Sequence, residues 1–167
     1  KYGYVWQGKQ YEGLSCVFLE VINGFGGSWI SKNNDVLLNT QESKKAWNWL
    51  KELIDSKVSP IAVSTFTENE TLQVFESGDA AFMRNWPYAW SLLQKENSFV
   101  KGRVGVTSMV AIKDKYQTAT LGSWGLSLIK SSKHKNESIK LIKYLTSTNS
   151  QKELFINYGY TPTRLAL

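Results

Sequence analysis

Few residues in this chain carry side chains suited to covalent chemistry, and their surroundings discourage most of it. His134 is the only histidine and Cys16 the only cysteine. His134 lies between Lys133 and Lys135 in a basic run that reads as a solvated helix start. Cys16 is flanked by Leu14, Val17, Phe18 and Leu19, the setting of a buried small hydrophobe and not of an activated thiol. One cysteine forms no internal disulfide, and no His/Cys cluster has metal-ligand spacing. What remains is aromatic. In Phe82-Met-Arg-Asn-Trp-Pro-Tyr-Ala-Trp90, rings crowd around Pro87, and in Thr120-Leu-Gly-Ser-Trp-Gly-Leu126, Trp124 stands between two glycines. Such rings offer flat apolar faces to a flat, weakly charged partner. Trp86, Tyr88 and Trp124 are the candidate platforms, with Asn85 beside them and Gly122 as a point of close approach. Trp90, next to Leu92 and Leu93, reads as core.

The elements that must position these rings follow from pattern. Ala80 to Met83 reads as a strand entering a core after the Gly78-Asp79 turn; Pro87 ends the ladder and starts a helix over Tyr88–Leu93. Trp86 and Tyr88 then sit at the carboxyl end of a strand, where ligands bind in open α/β sheets. Tyr2 to Trp6 reads as another strand. Tyr11 to Ile22 is an apolar helix interrupted only by Glu20 and closed at Asn23-Gly24, with Glu12 in its first turn. There a carboxylate gains about 0.3–1 kcal/mol from the helix dipole, which is one reading of Glu12.

Gly24-Phe-Gly-Gly27 lacks the strand-then-helix context of a phosphate-binding loop, and Asn33-Asn34-Asp35 turns a short hairpin. Thr40 caps a helix with the apolar face Ala46, Trp47, Leu50, Leu53 and Ile54. Thr67-Glu-Asn-Glu70 is a capping box for a helix running to Gly78. Val104 to Ile112 reads as a strand, Lys113-Asp-Lys-Tyr-Gln117 as a polar loop, and Thr120 to Ile129 as an extended segment. A helix from near Lys133 carries the inner stripe Ser138, Ile139, Leu141, Ile142 and Leu145. A further helix holding Leu154 and Phe155 opens on a box at either Ser150 or Thr148 and closes at Gly159. Strands alternating with helices predict an α/β lobe, a small mixed sheet flanked by helices.

Length and charge bound the function further. The 167 residues make one ordinary domain, and no apolar run approaches the ~18 residues of a membrane span. A net charge of +6 invites a nucleic-acid partner, with the rings as base-stacking platforms. Position argues against it: Lys44, Lys45, Lys51, Lys133, Lys135, Lys140 and Lys143 fall on helix faces and loops, whereas the tryptophans at strand ends have few basic neighbours in sequence.

Phe75-Glu-Ser-Gly-Asp-Ala-Ala-Phe-Met83 followed by Asn85-Trp-Pro-Tyr-Ala-Trp90 resembles a signature of the family 1 extracellular solute-binding proteins, the maltose/trehalose type that serve ABC importers. Gln7-Gly-Lys-Gln-Tyr-Glu-Gly-Leu14, Thr120-Leu-Gly-Ser-Trp-Gly-Leu126 and Gly159-Tyr-Thr-Pro-Thr-Arg164 agree in order and spacing. The resemblance implies one lobe of a periplasmic-binding-protein type II fold. On that reading, residues 1–167 are the second, C-terminal lobe of a two-lobed receptor, with a first lobe and a C-terminal tail lying outside the sequence.

It further implies a disaccharide or oligosaccharide ligand and ABC permease subunits as partners. No cofactor or metal is implied, and the expected location is extracytoplasmic, periplasmic or lipoprotein-anchored, in a bacterium or archaeon. Glu12 gains a second reading as a sugar-hydroxyl acceptor, and Arg164 lies on a strip leading to the cleft, where bracing the chain is its favoured role. The competing classes are a glycosidase, which needs two carboxyl groups across the scissile bond where only Glu12 is in view, and a ligand-sensing domain of a signalling protein.

Overall fold

The structure, a computed structural model, describes residues 1–113 and 116–167, so Asp114 and Lys115 of the expected polar loop lie outside it. Strand β1 (Tyr2–Val5) pairs in parallel with β2 (Ala80–Met83), placing Tyr4 beside Phe82 and Val5 beside Met83. The register runs one residue further, because the Arg84 N–H donates to the Val5 carbonyl at 3.0 Å. Between the strands come α1 (Glu12–Gly24), α2 (Gln41–Asp55), a 3-10 turn at Ile61–Thr65, and α3 (Glu68–Glu76). Beyond β2 lie α4 (Tyr88–Leu93), α5 (Lys135–Leu145) and α6 (Thr148–Tyr158).

The main core joins β1, α1 and α2: Val5, Trp6, Val17, Phe18, Val21, Ile22, Ala46, Leu50, Leu53 and Val63 are buried together. Ala46, Leu50 and Leu53 are positions the sequence period assigns inward. Trp47 packs differently, flat on Phe18 with ring centroids 3.8 Å apart and its outer face open. Two caps act as the sequence predicts. Thr40 accepts from the Ser43 N–H at 3.2 Å, and Thr67 with Glu70 closes a capping box at the start of α3. A smaller core of Leu72, Ala89 and Leu93 joins α3 to α4. The Asn33–Asp35 hairpin is present as an isolated antiparallel bridge, Ile30 to Val36.

Several expectations fail for physical reasons. Val104–Ile112 is not a strand, the extended segment Thr120–Ile129 joins no sheet, and the described sheet is a parallel pair. An apolar extended run becomes a strand only if another strand edge takes its backbone groups. Here two of those groups meet α1 instead: the Ile112 N–H donates to the Gly24 carbonyl at 3.0 Å, and the Thr120 N–H donates to Glu20 Oε1 at 3.0 Å. The apolar side chains stay uncovered, Val106 at 81%, Leu121 at 98%. The stripe on α5 is likewise unburied.

Trp90 is 45% exposed and not core, because α4 turns Ala89 and Leu93 inward and that residue out. Gly24 is the buried last residue of α1, where an added Cβ would stand 2.8 Å from the Val110 carbonyl oxygen. The left-handed residue is Gly26, φ 82°. The cap of α6 is Ser147, which accepts from the Ser150 N–H at 3.3 Å, one residue ahead of the box expected at Thr148 and three ahead of that at Ser150. Gly159 closes that helix at φ 73°, as its position predicts.

Candidate functional site

The site grows from an arginine, Arg84, immediately beyond the end of β2. Arg84 follows β2 into the interior and is 3% exposed, and Glu20, also 3% exposed, meets it from α1. Arg84 Nε donates to Glu20 Oε2 at 3.0 Å and Nη2 to Oε1 at 2.8 Å, a two-point pairing that suits the planar guanidinium. Arg84 Nη1 donates to Gln7 Oε1 at 3.1 Å, and Gln7 Nε2 donates to Thr71 Oγ1 at 3.1 Å and to the Arg84 carbonyl at 2.9 Å. Burial by itself would lower the Arg84 pKa, but the Glu20 carboxylate outweighs it and raises it. Glu20 Oε1 also accepts the Thr120 N–H at 3.0 Å, tying the 120 segment to the pair.

Trp86 lies on this base. The Arg84 guanidinium carbon sits 4.0 Å from the centroid of its ring. Trp86 Nε1 donates to Glu68 Oε1 at 2.9 Å, and the Tyr11 hydroxyl donates to Glu68 Oε2 at 2.7 Å. A Cβ on Gly122 would come within 2.9 Å of Trp86 Cη2, so the missing side chain lets the 120 segment reach the benzo edge of the indole. Arg84 thus takes one face, Glu68 the pyrrole nitrogen and Gly122 the far edge. Trp86 remains partly exposed within this frame. Asn85 holds the turn, accepting the Trp86 N–H on Oδ1 at 2.8 Å and donating to the Glu68 carbonyl at 3.2 Å.

The other sequence candidates lie at varying distance from this cluster. Tyr88, half-buried at the start of α4, has its ring 6.3 Å from that of Tyr160, and its phenol pKa is raised by burial first and then by the Glu68 charge. Glu12 is exposed at the start of α1 and accepts from Cys16 Sγ at 3.0 Å. Burial and that contact push the Cys16 thiol up to about 12, so it remains protonated and is no nucleophile near neutrality. Trp124 is 93% exposed and is not brought against Trp86. Arg164 Nε donates to the Thr146 carbonyl at 2.7 Å, a bracing contact. Among the described residues no group of three or more His, Cys, Asp or Glu side chains is arranged to hold a metal ion, and no helix is long and apolar enough to cross a membrane.

Sequence reasoning missed Glu68, Arg84, Glu20, Gln7 and Tyr11 as parts of the site. A signal existed for two of them, since Glu20 and Arg84 are opposite charges set singly in apolar runs. Glu68 was hidden because the capping box that contains it draws attention to Glu70.

Burial alone would raise the Glu68 carboxyl, but the hydrogen bonds from Tyr11 and Trp86, a helix-start N–H and the Arg84 charge prevail and hold it below its ordinary 4.5. A carboxyl lowered in the folded state stabilises the fold above its unfolded pKa and loses that contribution as pH falls through the native value. Urea midpoints of Glu68→Gln should therefore depend less on pH than those of the parent from pH 4.5 downward. Glu70, lowered by its bonds to Thr67, acts in the same direction in both proteins and cancels. Parallel midpoint curves would contradict this assignment.

Gln7 and Tyr11, Arg84 to Tyr88, Thr120 to Gly122, and Gly159 to Tyr160 come from four separate motifs, and the fold gathers all four around Trp86 and Tyr88. A model of the bacterial extracellular solute-binding proteins matches residues 3–167. A Deinococcus radiodurans protein named as a probable ABC transporter-binding protein is 40% identical over 162 residues, covering 96% of this chain and 38% of its own.

T. maritima MalE3, solved with maltose bound, is 42% identical with a TM-score of 0.93, over 99% of this chain and 43% of its own. A Thermotoga lettingae ABC transporter solute-binding protein, solved with α-D-tagatose, shares the fold at a TM-score of 0.87 and 22% identity, over 99% of this chain and 42% of its own. The chain thus spans less than half the length of these relatives, and it belongs to the bacterial extracellular solute-binding protein family.

Proposed function

We propose that this chain forms one wall of the ligand cleft in an extracytoplasmic receptor for a disaccharide or oligosaccharide that delivers its ligand to an ABC importer. The observation that carries the reading is the Trp86 indole, partly exposed and fixed by Arg84, Glu68 and Gly122. A sugar ring has an apolar C–H face that stacks on such a surface, and its hydroxyls seek acceptors and donors at the rim. Tyr88 and Glu12 are the neighbouring candidates for those contacts. Trp124 would join them only after the 120 segment moves, as hinge closure of two lobes can arrange.

The opposite wall belongs, on this reading, to the rest of a two-lobed protein, and permease subunits recognise the closed form. Maltose in the T. maritima relative, 42% identical, makes a glucose-containing disaccharide the first ligand to try. The reading requires no bond-breaking chemistry. Glu68 is held as an ionised acceptor and is unsuited to donating a proton as a glycosidase acid must.

A thermal-shift screen of the intact receptor against maltose, maltotriose, trehalose and monosaccharides tests the proposal. A sugar that binds only the folded state at about a hundred times its Kd adds ~2.7 kcal/mol, a rise of several degrees in Tm. Sugar left chemically unchanged after binding is the accompanying expectation. Absence of any shift at millimolar sugar, or release of hydrolysed product, would overturn the reading.

A further inference from the structure

We propose that Glu68 is the positioning residue of this ligand wall, setting the orientation of the Trp86 indole and the Tyr11 phenol and, through them, the affinity for sugar. The inference rests on the sugar-binding reading above and adds a residue that no sequence motif singled out. The two carboxylate oxygens are divided between two rings: Oε1 takes Trp86 Nε1 at 2.9 Å and Oε2 takes the Tyr11 hydroxyl at 2.7 Å. Those rings reach it from different parts of the chain, Tyr11 from just ahead of α1 and Trp86 from just beyond β2.

The same residue holds the turn between them, because its carbonyl accepts Asn85 Nδ2 at 3.2 Å, and Asn85 in turn accepts the Trp86 N–H. The mounting is rigid. Glu68 is the first residue of α3, fastened by the Thr67–Glu70 capping box and by buried Thr71 and Leu72.

With Arg84 beneath the indole, the contact to Glu68 fixes the remaining freedom of the ring, its rotation within the plane above the guanidinium. A ring already held in its binding orientation loses no rotamer freedom when sugar arrives, so the carboxylate contributes to affinity without touching the ligand. This role also explains why a carboxylate at the wall is engaged on both oxygens and held ionised.

The test is a mutant cycle in the intact receptor, with maltose as the probe, or the tightest-binding sugar of the panel if maltose is weaker. Glu68→Ala should weaken binding about tenfold, as loss of a charge-assisted clamp implies. In the Trp86→Phe/Tyr11→Phe background neither ring can donate to the carboxylate, and there Glu68→Ala should change Kd by less than about twofold. If Glu68→Ala does not fold, Glu68→Gln, which keeps one accepting oxygen, carries the same cycle with a smaller loss in the parent.

Equal losses in both backgrounds would mean that the carboxylate takes a sugar hydroxyl itself and would overturn the proposal. Unchanged affinity in Glu68→Ala, together with lost affinity in Trp86→Ala, would overturn it while leaving the sugar reading in place. A parent receptor that binds no sugar in the panel would overturn both.

Discussion

Replacing Glu20 with alanine should destabilise the protein by about 3–5 kcal/mol, the largest loss expected from any single side chain in the site. The reason is desolvation. Arg84 is 3% exposed and both of its closest charge-assisted bonds go to Glu20, so removing the carboxylate leaves a buried cation with only Gln7 and the Trp86 ring for company. The Thr120 N–H loses its acceptor in the same step. Domains of this size have only about 5–15 kcal/mol to lose, so the variant should approach the folding threshold.

The paired replacement Glu20→Leu/Arg84→Met removes both charges and should cost much less than the single change, since two apolar groups need no solvation. It still strips support from the 120 segment and from beneath Trp86. Urea denaturation followed by near-ultraviolet circular dichroism checks both variants. A loss under ~1 kcal/mol for Glu20→Ala would place the ion pair in water and remove the base from the account.

How far the site was legible in the sequence depended on range. Local signals were read well: Thr40 and the Thr67–Glu70 box cap α2 and α3, Pro87 opens α4 and Gly159 ends α6, because each is decided within one turn of the residue concerned. Trp86 was singled out as a ring at a strand end, and its place beyond β2 follows from that local grammar. The pairing of Glu20 with Arg84 spans 64 residues, and the Tyr11 to Glu68 contact spans 57. No spacing rule reaches so far; only the four motifs taken together hinted that these stretches meet.

The misread strand shows the opposite fault. Val104–Ile112, like the extended segment Thr120–Ile129, has strand-like residues, but a strand is a relation between two chains of peptide groups and not a property of one. α5 illustrates the same limit for helices. Its stripe forms with the right period, yet Ile139, Leu141 and Leu145 remain exposed, because periodicity says which face is apolar and not what covers it. Among the described residues both buried cores and the partly buried side chains packed on them lie no further along the chain than Val104.

Trp86→Ala in the intact receptor should weaken sugar binding by about 2 kcal/mol or more, roughly thirtyfold in Kd, as truncation of a central aromatic anchor does. The stability loss should be smaller, about 1 kcal/mol, because the ring is half-buried and what it gives the fold is a cation–π contact to Arg84 and one hydrogen bond to Glu68. Trp86→Phe, which keeps a stacking face but loses Nε1, should fall between alanine and the parent. Calorimetric titration of the three proteins with the panel's tightest sugar, beside the melting temperature of each unliganded form, is the most direct test of the central claim. The account predicts affinities in the order Trp, Phe, Ala with melting temperatures within a few degrees of one another. Equal affinities in all three, or affinities that fall only as far as the folded fraction falls, would show that the Trp86 ring packs the lobe and does not bind its ligand.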